Sequence, residues 1–222
     1  MPPKLKHFTN PDKPFRREHG LQPGFVSRIF ACGPPDSGKR SALLSIMGNE
    51  PGGFDSVTVV HLSTDTNEMD ILNDQPQFKL FGYCDDGIPG PEYFSSLKGQ
   101  KHLLWLEEIP FGMMNKHQKS DLDRTFNYTS THCGVTIYCC AQDFYQIPAS
   151  ARRSATHLLL FKSAMKQHTS LIGRSIGINL NELFSRFCTA RHDHLMVDFA
   201  SCDDDLLVRK NTYEPISNVR KK

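Results

Sequence analysis

The sequence has almost no excess of charge of either sign: 26 Lys and Arg stand against 24 Asp and Glu, a formal net charge of +2 over 222 residues. A cationic field over the whole molecule is thereby excluded, and any contact with nucleic acid has to come from a local basic patch. Long apolar runs are missing too. Leu158–Phe161 is typical of the unbroken stretches, far short of the about 20 residues that a membrane-spanning helix needs. A soluble protein with no membrane partner is expected. Met1–His7 carries cationic residues with no apolar segment behind them, so no secretory signal is expected there, and a reducing, intracellular compartment follows. The seven cysteines are an odd number and none forms a C-x-x-C pair; Cys139-Cys140 and His132-Cys133 lack the spacing that lets two thiolates share a metal. Free thiols packed in strands and loops are expected. No internal repeat is found, and the composition excludes collagen, coiled coil and wholesale disorder.

What is present reads as one α/β domain with appended ends. Residues 1–24 hold five prolines and little periodicity, an N-terminal arm; 25–215 form the domain and 216–222 a basic tail. Phe25–Cys32 is a β-rich run, followed at once by a glycine-bearing loop and a helix-like Lys39–Met47. Further strands are expected at Ser56–Leu62, Lys101–Leu106, Val135–Ala141, Thr156–Phe161 and His194–Phe199, with helices at Lys116–Thr131 and Asn179–Thr189. Leu80–Leu97, rich in Gly, Pro and Asp, is expected to be a weakly organised connection with short helices. Strands alternating with helices predict a mostly parallel sheet with helices on both faces, an α/β fold.

Gly33-Pro34-Pro35-Asp36-Ser37-Gly38-Lys39 matches the first seven positions of the phosphate-binding loop G-x-x-x-x-G-K. It lies between a strand and a helix, where backbone N–H groups surround a polyphosphate and the Lys39 ammonium bridges its β and γ groups. A turn that merely holds two glycines and a lysine is the plainer alternative, and the flanking elements argue against it. One position departs: the residue after the lysine, usually Ser or Thr binding Mg²⁺ through its hydroxyl, is Arg40, with Ser41 one place later. A second motif is Leu103-Leu104-Trp105-Leu106-Glu107-Glu108, an apolar strand with two carboxylates at its C-terminal tip, where parallel sheets bind ligands. Glu107 is the candidate Mg²⁺ ligand, direct or through water, and Glu108 the candidate to polarise the attacking water. Gln142, at the tip of the next strand, can bond a γ-phosphate or the water. Arg152 and Arg153 are candidates for an arginine finger acting on a neighbouring subunit, against the plainer reading of a solvated basic pair.

The order of these motifs resembles the genome-packaging ATPases of double-stranded DNA viruses and Polinton-type elements, within the FtsK–HerA superfamily of P-loop motors. The resemblance runs from about Phe15 to Pro215. Its most specific part is Gly134–Phe144, then Arg152-Arg153, then His157–Lys162, similar to the family's apolar strand, Gln-Asn-aromatic, Arg, and apolar strand ending Phe-Lys. Leu195–Phe199 followed by Leu206–Asn211 is similar to its closing hairpin. Asp143 stands where Asn is usual, Arg40 where Ser or Thr is usual, and Glu107 where Asp is usual; the last two bear on metal geometry. The resemblance implies ATP and Mg²⁺ as cofactors and a homo-oligomeric ring, hexameric or pentameric. It implies threading of double-stranded DNA into a preformed capsid at its vertex proteins, in the host nucleus, a cytoplasmic viral factory or the virion. Basic loops at Asn115–Lys119 or Lys162–Arg174 would then grip the DNA phosphates. A nucleotide-binding structural module without motor activity and a small P-loop kinase are the alternatives.

Overall fold

A computed structural model describes residue 21, residue 23, and residues 26–62, 75–97, 99–162, 166–201, 203–217 and 219. Most of the proposed N-terminal arm and the last three residues lie outside this set. Nine strands form one sheet: β1 (Arg28–Cys32), β2 (Ser56–His61), β3 (Phe78–Gly82), β4 (His102–Glu107), β5 (Val135–Ala141), β6 (His157–Phe161), β7 (His194–Asp198), β8 (Val208–Lys210) and β9 (Glu214–Pro215). Their order is β3-β2-β4-β5-β1-β6-β7-β8-β9. The strands from β3 to β6 in that order run parallel, and β7, β8 and β9 add on antiparallel.

The central strands carry apolar residues at consecutive positions because both faces are covered. On one face Ile29, Ala31, Leu103, Trp105, Tyr138 and Cys140 pack with Ala42, Leu43 and Ile46 of helix α1 (Lys39–Gly48). The alternate residues, Phe30, Cys32, Leu104, Leu106, Ile137 and Cys139, face a second and larger core. That core takes Leu122 from α4 (Lys116–Arg124) and Phe126 from the π-helical turn that follows it, and Leu180, Leu183 and Phe184 from α8 (Leu180–Phe187). Phe30 and Phe126 stack there, with ring centroids 5.1 Å apart.

Three features depart from the sequence expectations. Leu80–Leu97 is organised: besides the expected short helices, α2 (Tyr83–Asp86) and α3 (Pro91–Ser96), it completes an unexpected strand, β3, which pairs with β2 at the sheet edge. Lys166–Ile176, expected as part of a basic loop, is helix α7. The helix expected from Lys116 to Thr131 is present, as α4, a π turn at Thr125–Thr129 and α5 (Ser130–Cys133), where Gly134 at φ 72° stops it. The remaining helix, α6, is Ala149–Arg153. Ile216, placed in the tail from sequence, is buried, and its N–H bonds the Val208 carbonyl at 3.0 Å.

The antiparallel edge is tied by a buried charge network. Asp198 on β7 lies 3.4 Å from His157 on β6 and 3.3 Å from Arg209 on β8, and all three side chains are almost wholly buried. Removing one partner of such a network leaves an uncompensated buried charge, at a cost of about 3–5 kcal/mol. This fixes the register of the strands next to β6, the neighbour of the strand that leads into the phosphate loop. The six described cysteines outside position 202 are free. Burial pushes the Cys32, Cys139 and Cys140 thiols far up, so they stay protonated and unreactive.

Candidate active site

The loop after β1 is shaped by one glycine contact and two left-handed residues. A Cβ on Gly33 would lie 2.5 Å from the Phe161 Cβ, so only glycine lets the chain leave β1 beside β6. Asp36 at φ 54° and Gly38 at φ 101° then turn the chain around Ser37. Successive N–H groups in such a turn form a concavity that suits an anion. Gly38 is the N-cap of α1 and no side chain caps it, so the first-turn N–H groups of a ten-residue helix are left for a ligand. The Ser37 hydroxyl lines the same hollow, is buried and has no hydrogen-bond partner among the described residues. A phosphate oxygen would supply that partner. The Lys39 ammonium curls back to donate to the carbonyls of Gly33 at 2.9 Å and Pro34 at 2.7 Å.

The strand order brings the other motif residues to this loop. β5 lies between β1 and β4, so its tip separates the phosphate loop from the acidic tip of β4. A cleft of about 840 Å³ opens over the three. Its wall contains the loop from Pro35 to Ser41, together with Glu107, Glu108 and Gln142, so these sequence candidates share one site; Gly33 and Pro34 lie behind it. The Tyr138 hydroxyl on β5 donates to the Lys39 carbonyl at 2.8 Å, joining the middle strand to the start of α1. Burial raises the Tyr138 pKa well above its ordinary value, so the phenol remains a donor.

The two carboxylates have opposite surroundings. Glu107 is buried, its Oε2 accepting from Trp105 Nε1 at 2.7 Å and its Oε1 lying 3.5 Å from Arg40 Nε. The Cys140 thiol, raised by burial first and then by the Glu107 charge, also hydrogen-bonds it. Glu108 takes φ 55°, a left-handed conformation that costs about 1–3 kcal/mol in a non-glycine residue. That turn exposes its carboxylate, which lies 3.4 Å from Nε2 of the buried His61 at the tip of β2.

The residue after Lys39 offers a guanidinium instead of an oxygen, and both Glu107 oxygens already face N–H groups. Mg²⁺ demands oxygen ligands in near-octahedral array. The donors as they stand do not fit it.

The arginines separate from the cleft and from each other. Arg152 is held within its own chain, its guanidinium 4.9 Å from the Tyr145 ring centroid and 5.4 Å from that of Phe144, with Nε donating to the Ile147 carbonyl at 3.0 Å. Arg153 is exposed. Asp143 caps the turn that follows Gln142 by accepting from the Tyr145 N–H at 3.0 Å, and it pairs with His168 of α7 at 3.0 Å. Lys116 and Lys119 are exposed on the first turns of α4, behind an Asn115–Gln118 capping box, and Lys162 is exposed after β6. Residues not singled out from sequence also reach the site: His61, Gln146, and the pair Arg191 and His192 from the loop before β7, with His192 packed against Gly38. They carry no motif; His61 arrives from the tip of β2, Gln146 from the turn after β5, and Arg191 and His192 from the segment that enters β7 beside the phosphate loop.

No family model and no curated protein matches the chain. Solved structures do match. The genome-packaging NTPase B204 of Sulfolobus turreted icosahedral virus 2, in complex with sulfate, superposes with a TM-score of 0.57 at 15% identity over 86% of this chain and 97% of that one. B204 of Sulfolobus turreted icosahedral virus, a DNA-packaging ATPase, gives 0.57 at 12% identity over 86% and 98%. The virus 2 protein in complex with ATP-gammaS gives 0.55 at 13% over 86% and 98%. The nine-stranded, mostly parallel sheet with its loop between β1 and α1 is the α/β fold of a P-loop NTPase, and this chain shares that fold with the viral packaging NTPase B204.

Proposed function

We infer that the protein is an ATPase that drives double-stranded DNA into a viral or virus-like capsid, working as a homo-oligomeric ring of five or six subunits. The observation that carries the reading is the single cleft into which the phosphate loop, Glu108 and Gln142 converge from three neighbouring strands. The packaging role of B204, which has the same fold, supports it.

In this reading the N–H groups of 36–41 and the Lys39 ammonium bind the β and γ phosphates. Lys39 exchanges its two carbonyl partners for phosphate oxygens, a stronger charge-assisted bond. Gln142 orients the attacking water. Glu108, the exposed carboxylate, accepts the proton that the water loses as its oxygen bonds to the γ phosphorus and the bond to ADP breaks. His61 holds the Glu108 carboxylate in place. Arg153 reaches a neighbouring subunit's γ-phosphate, stabilising the charge spread over the transferred group. DNA is held by exposed lysines such as Lys116, Lys119 and Lys162 on its phosphates, and capsid vertex proteins are the docking partner. The work is done inside the infected cell.

The test is phosphate release by the purified chain with and without duplex DNA. Turnover that rises severalfold with DNA and vanishes in Glu108→Gln is expected. Tight nucleotide binding with no turnover under any condition would instead identify a structural nucleotide-binding module. DNA affinity measured across salt should fall steeply, with a log–log slope set by the number of phosphates contacted; a flat dependence excludes this grip.

A further inference from the structure

We propose that Arg40 stands in for the divalent cation: its guanidinium, seated on Glu107, is the counter-charge of a nucleoside triphosphate that binds in metal-free form. This deepens the nucleotide reading above and rests on it. Arg40 is the second residue of α1, directly after Lys39, and lines the cleft with its side chain 36% exposed. It therefore reaches both the buried carboxylate behind it and a ligand in front.

Three observations carry the inference. First, the place where a metal would bridge a loop hydroxyl and the acidic strand tip is spanned by the 3.5 Å contact from Arg40 Nε to Glu107 Oε1. A second cation on that carboxylate would face the guanidinium at contact distance, so metal and arginine exclude each other there. Second, Ser41 does not restore the lost hydroxyl. One residue further along a helix turns the side chain by about 100°, so Ser41, which also lines the cleft, presents its hydroxyl from a different direction than the position directly after Lys39, which Arg40 holds against Glu107. Third, the charges balance. A divalent ion on one carboxylate leaves a net +1, whereas Arg40 on Glu107 leaves zero, and Arg191 in the same cleft supplies the missing positive charge. A guanidinium is also suited to the task, since its planar fork of N–H donors matches phosphate oxygens two at a time.

The experiment is a titration of the full chain with a fluorescent ATP analogue, once in excess EDTA and once with Mg²⁺. The wild type is expected to bind with dissociation constants that agree within about threefold in the two buffers. Arg40→Ser, which restores the usual hydroxyl, is expected to bind in Mg²⁺ and to lose about tenfold or more in EDTA. A wild-type affinity that drops tenfold or more in EDTA overturns the inference and leaves the nucleotide reading standing. So does an Arg40→Ser protein, folded by circular dichroism, that binds as tightly without metal as with it. Failure of the folded wild type to bind in either buffer defeats the nucleotide reading and this inference with it.

Discussion

Gly33 and Phe161 are in backbone-level contact: the Cβ that any other residue would carry at 33 falls 2.5 Å from the Phe161 Cβ. Gly33→Ala therefore pushes β1 away from β6 at the mouth of the phosphate loop. A loss of about 1–3 kcal/mol in urea unfolding is expected, as for other overpacked sites, with nucleotide affinity reduced more than about tenfold. Gly48→Ala, at the end of α1 where a Cβ meets nothing within 4 Å, should instead be neutral or stabilising by up to about 1 kcal/mol. Equal unfolding midpoints for the wild type and Gly33→Ala would show that the contact is not tight.

Lys39→Ala should remove nucleotide binding by a factor of about 100 or more while leaving the fold intact, because the ammonium bonds only loop carbonyls in its own chain. Near-ultraviolet circular dichroism alongside a nucleotide titration separates the two effects. Unchanged affinity would reject the loop as the phosphate site.

Glu108→Gln should bind nucleotide as the wild type does and lose turnover by about 10²–10⁴-fold, the usual worth of a positioned base. His61→Ala, which leaves the base but removes its 3.4 Å neighbour, should lower turnover less. If Glu108→Gln turns over normally, the proton goes elsewhere, and Glu107 is the next carboxylate to examine.

Arg152 and Arg153 should part company under mutation. Arg152→Ala takes a guanidinium off two aromatic rings and a carbonyl, so a lower melting temperature is expected. Arg153→Ala, at an exposed position, should keep stability within about 0.5 kcal/mol and lose turnover. Mixing Glu108→Gln subunits with Arg153→Ala subunits should recover part of the activity, since an intact site then meets an intact neighbour. No recovery in rings shown to be mixed would argue against action between subunits.

His102 sets a pH dependence of stability. Its ring nitrogens face the Ser56 and Thr58 hydroxyls, and burial lowers its pKa from 6.5 to about 4. Between those values the unfolded chain binds the proton and the folded chain does not, so stability is full above pH 6.5 and declines as pH falls toward 4. The decline from this group is on the order of 3 kcal/mol, and the lowered pKa of His194 adds in the same direction. Urea unfolding at successive pH values should show a shallower slope for His102→Leu; an unchanged slope would mean the histidine is solvated.

The parts of the fold that were legible in the sequence are those with a local signature. Val135–Ala141, apolar but for Thr136, is buried at every position because it is covered on both faces, and its bounds are those expected. Gly33–Lys39 announces itself by spacing. β3 left no such mark: at the sheet edge, Phe78–Gly82 is largely half-exposed and shows neither alternation nor an unbroken buried run. Arg191 and His192 sit in a loop without periodicity and come to the cleft only because the segment before β7 passes the phosphate loop, His192 lying against Gly38. The sequence shows that Arg40 replaces a hydroxyl. It does not show that the side chain lands on Glu107, because that depends on β5 holding β4 at a fixed distance from α1.

The hydrogen bond from Tyr138 to the Lys39 carbonyl has a mechanical consequence. It is a cross-brace between the strand that carries Gln142 and the helix that begins at the phosphate loop, fastened by a phenol that stays protonated. Strand and helix are thereby linked at the mouth of the site. The turn just beyond, Asp143–Ile147, is held on one side by His168 and on the other by Arg152. In the packaging reading proposed above, a displacement of Gln142 on nucleotide release would pass through that turn toward α6 and α7, so stiffening it should slow DNA movement while leaving nucleotide affinity unchanged.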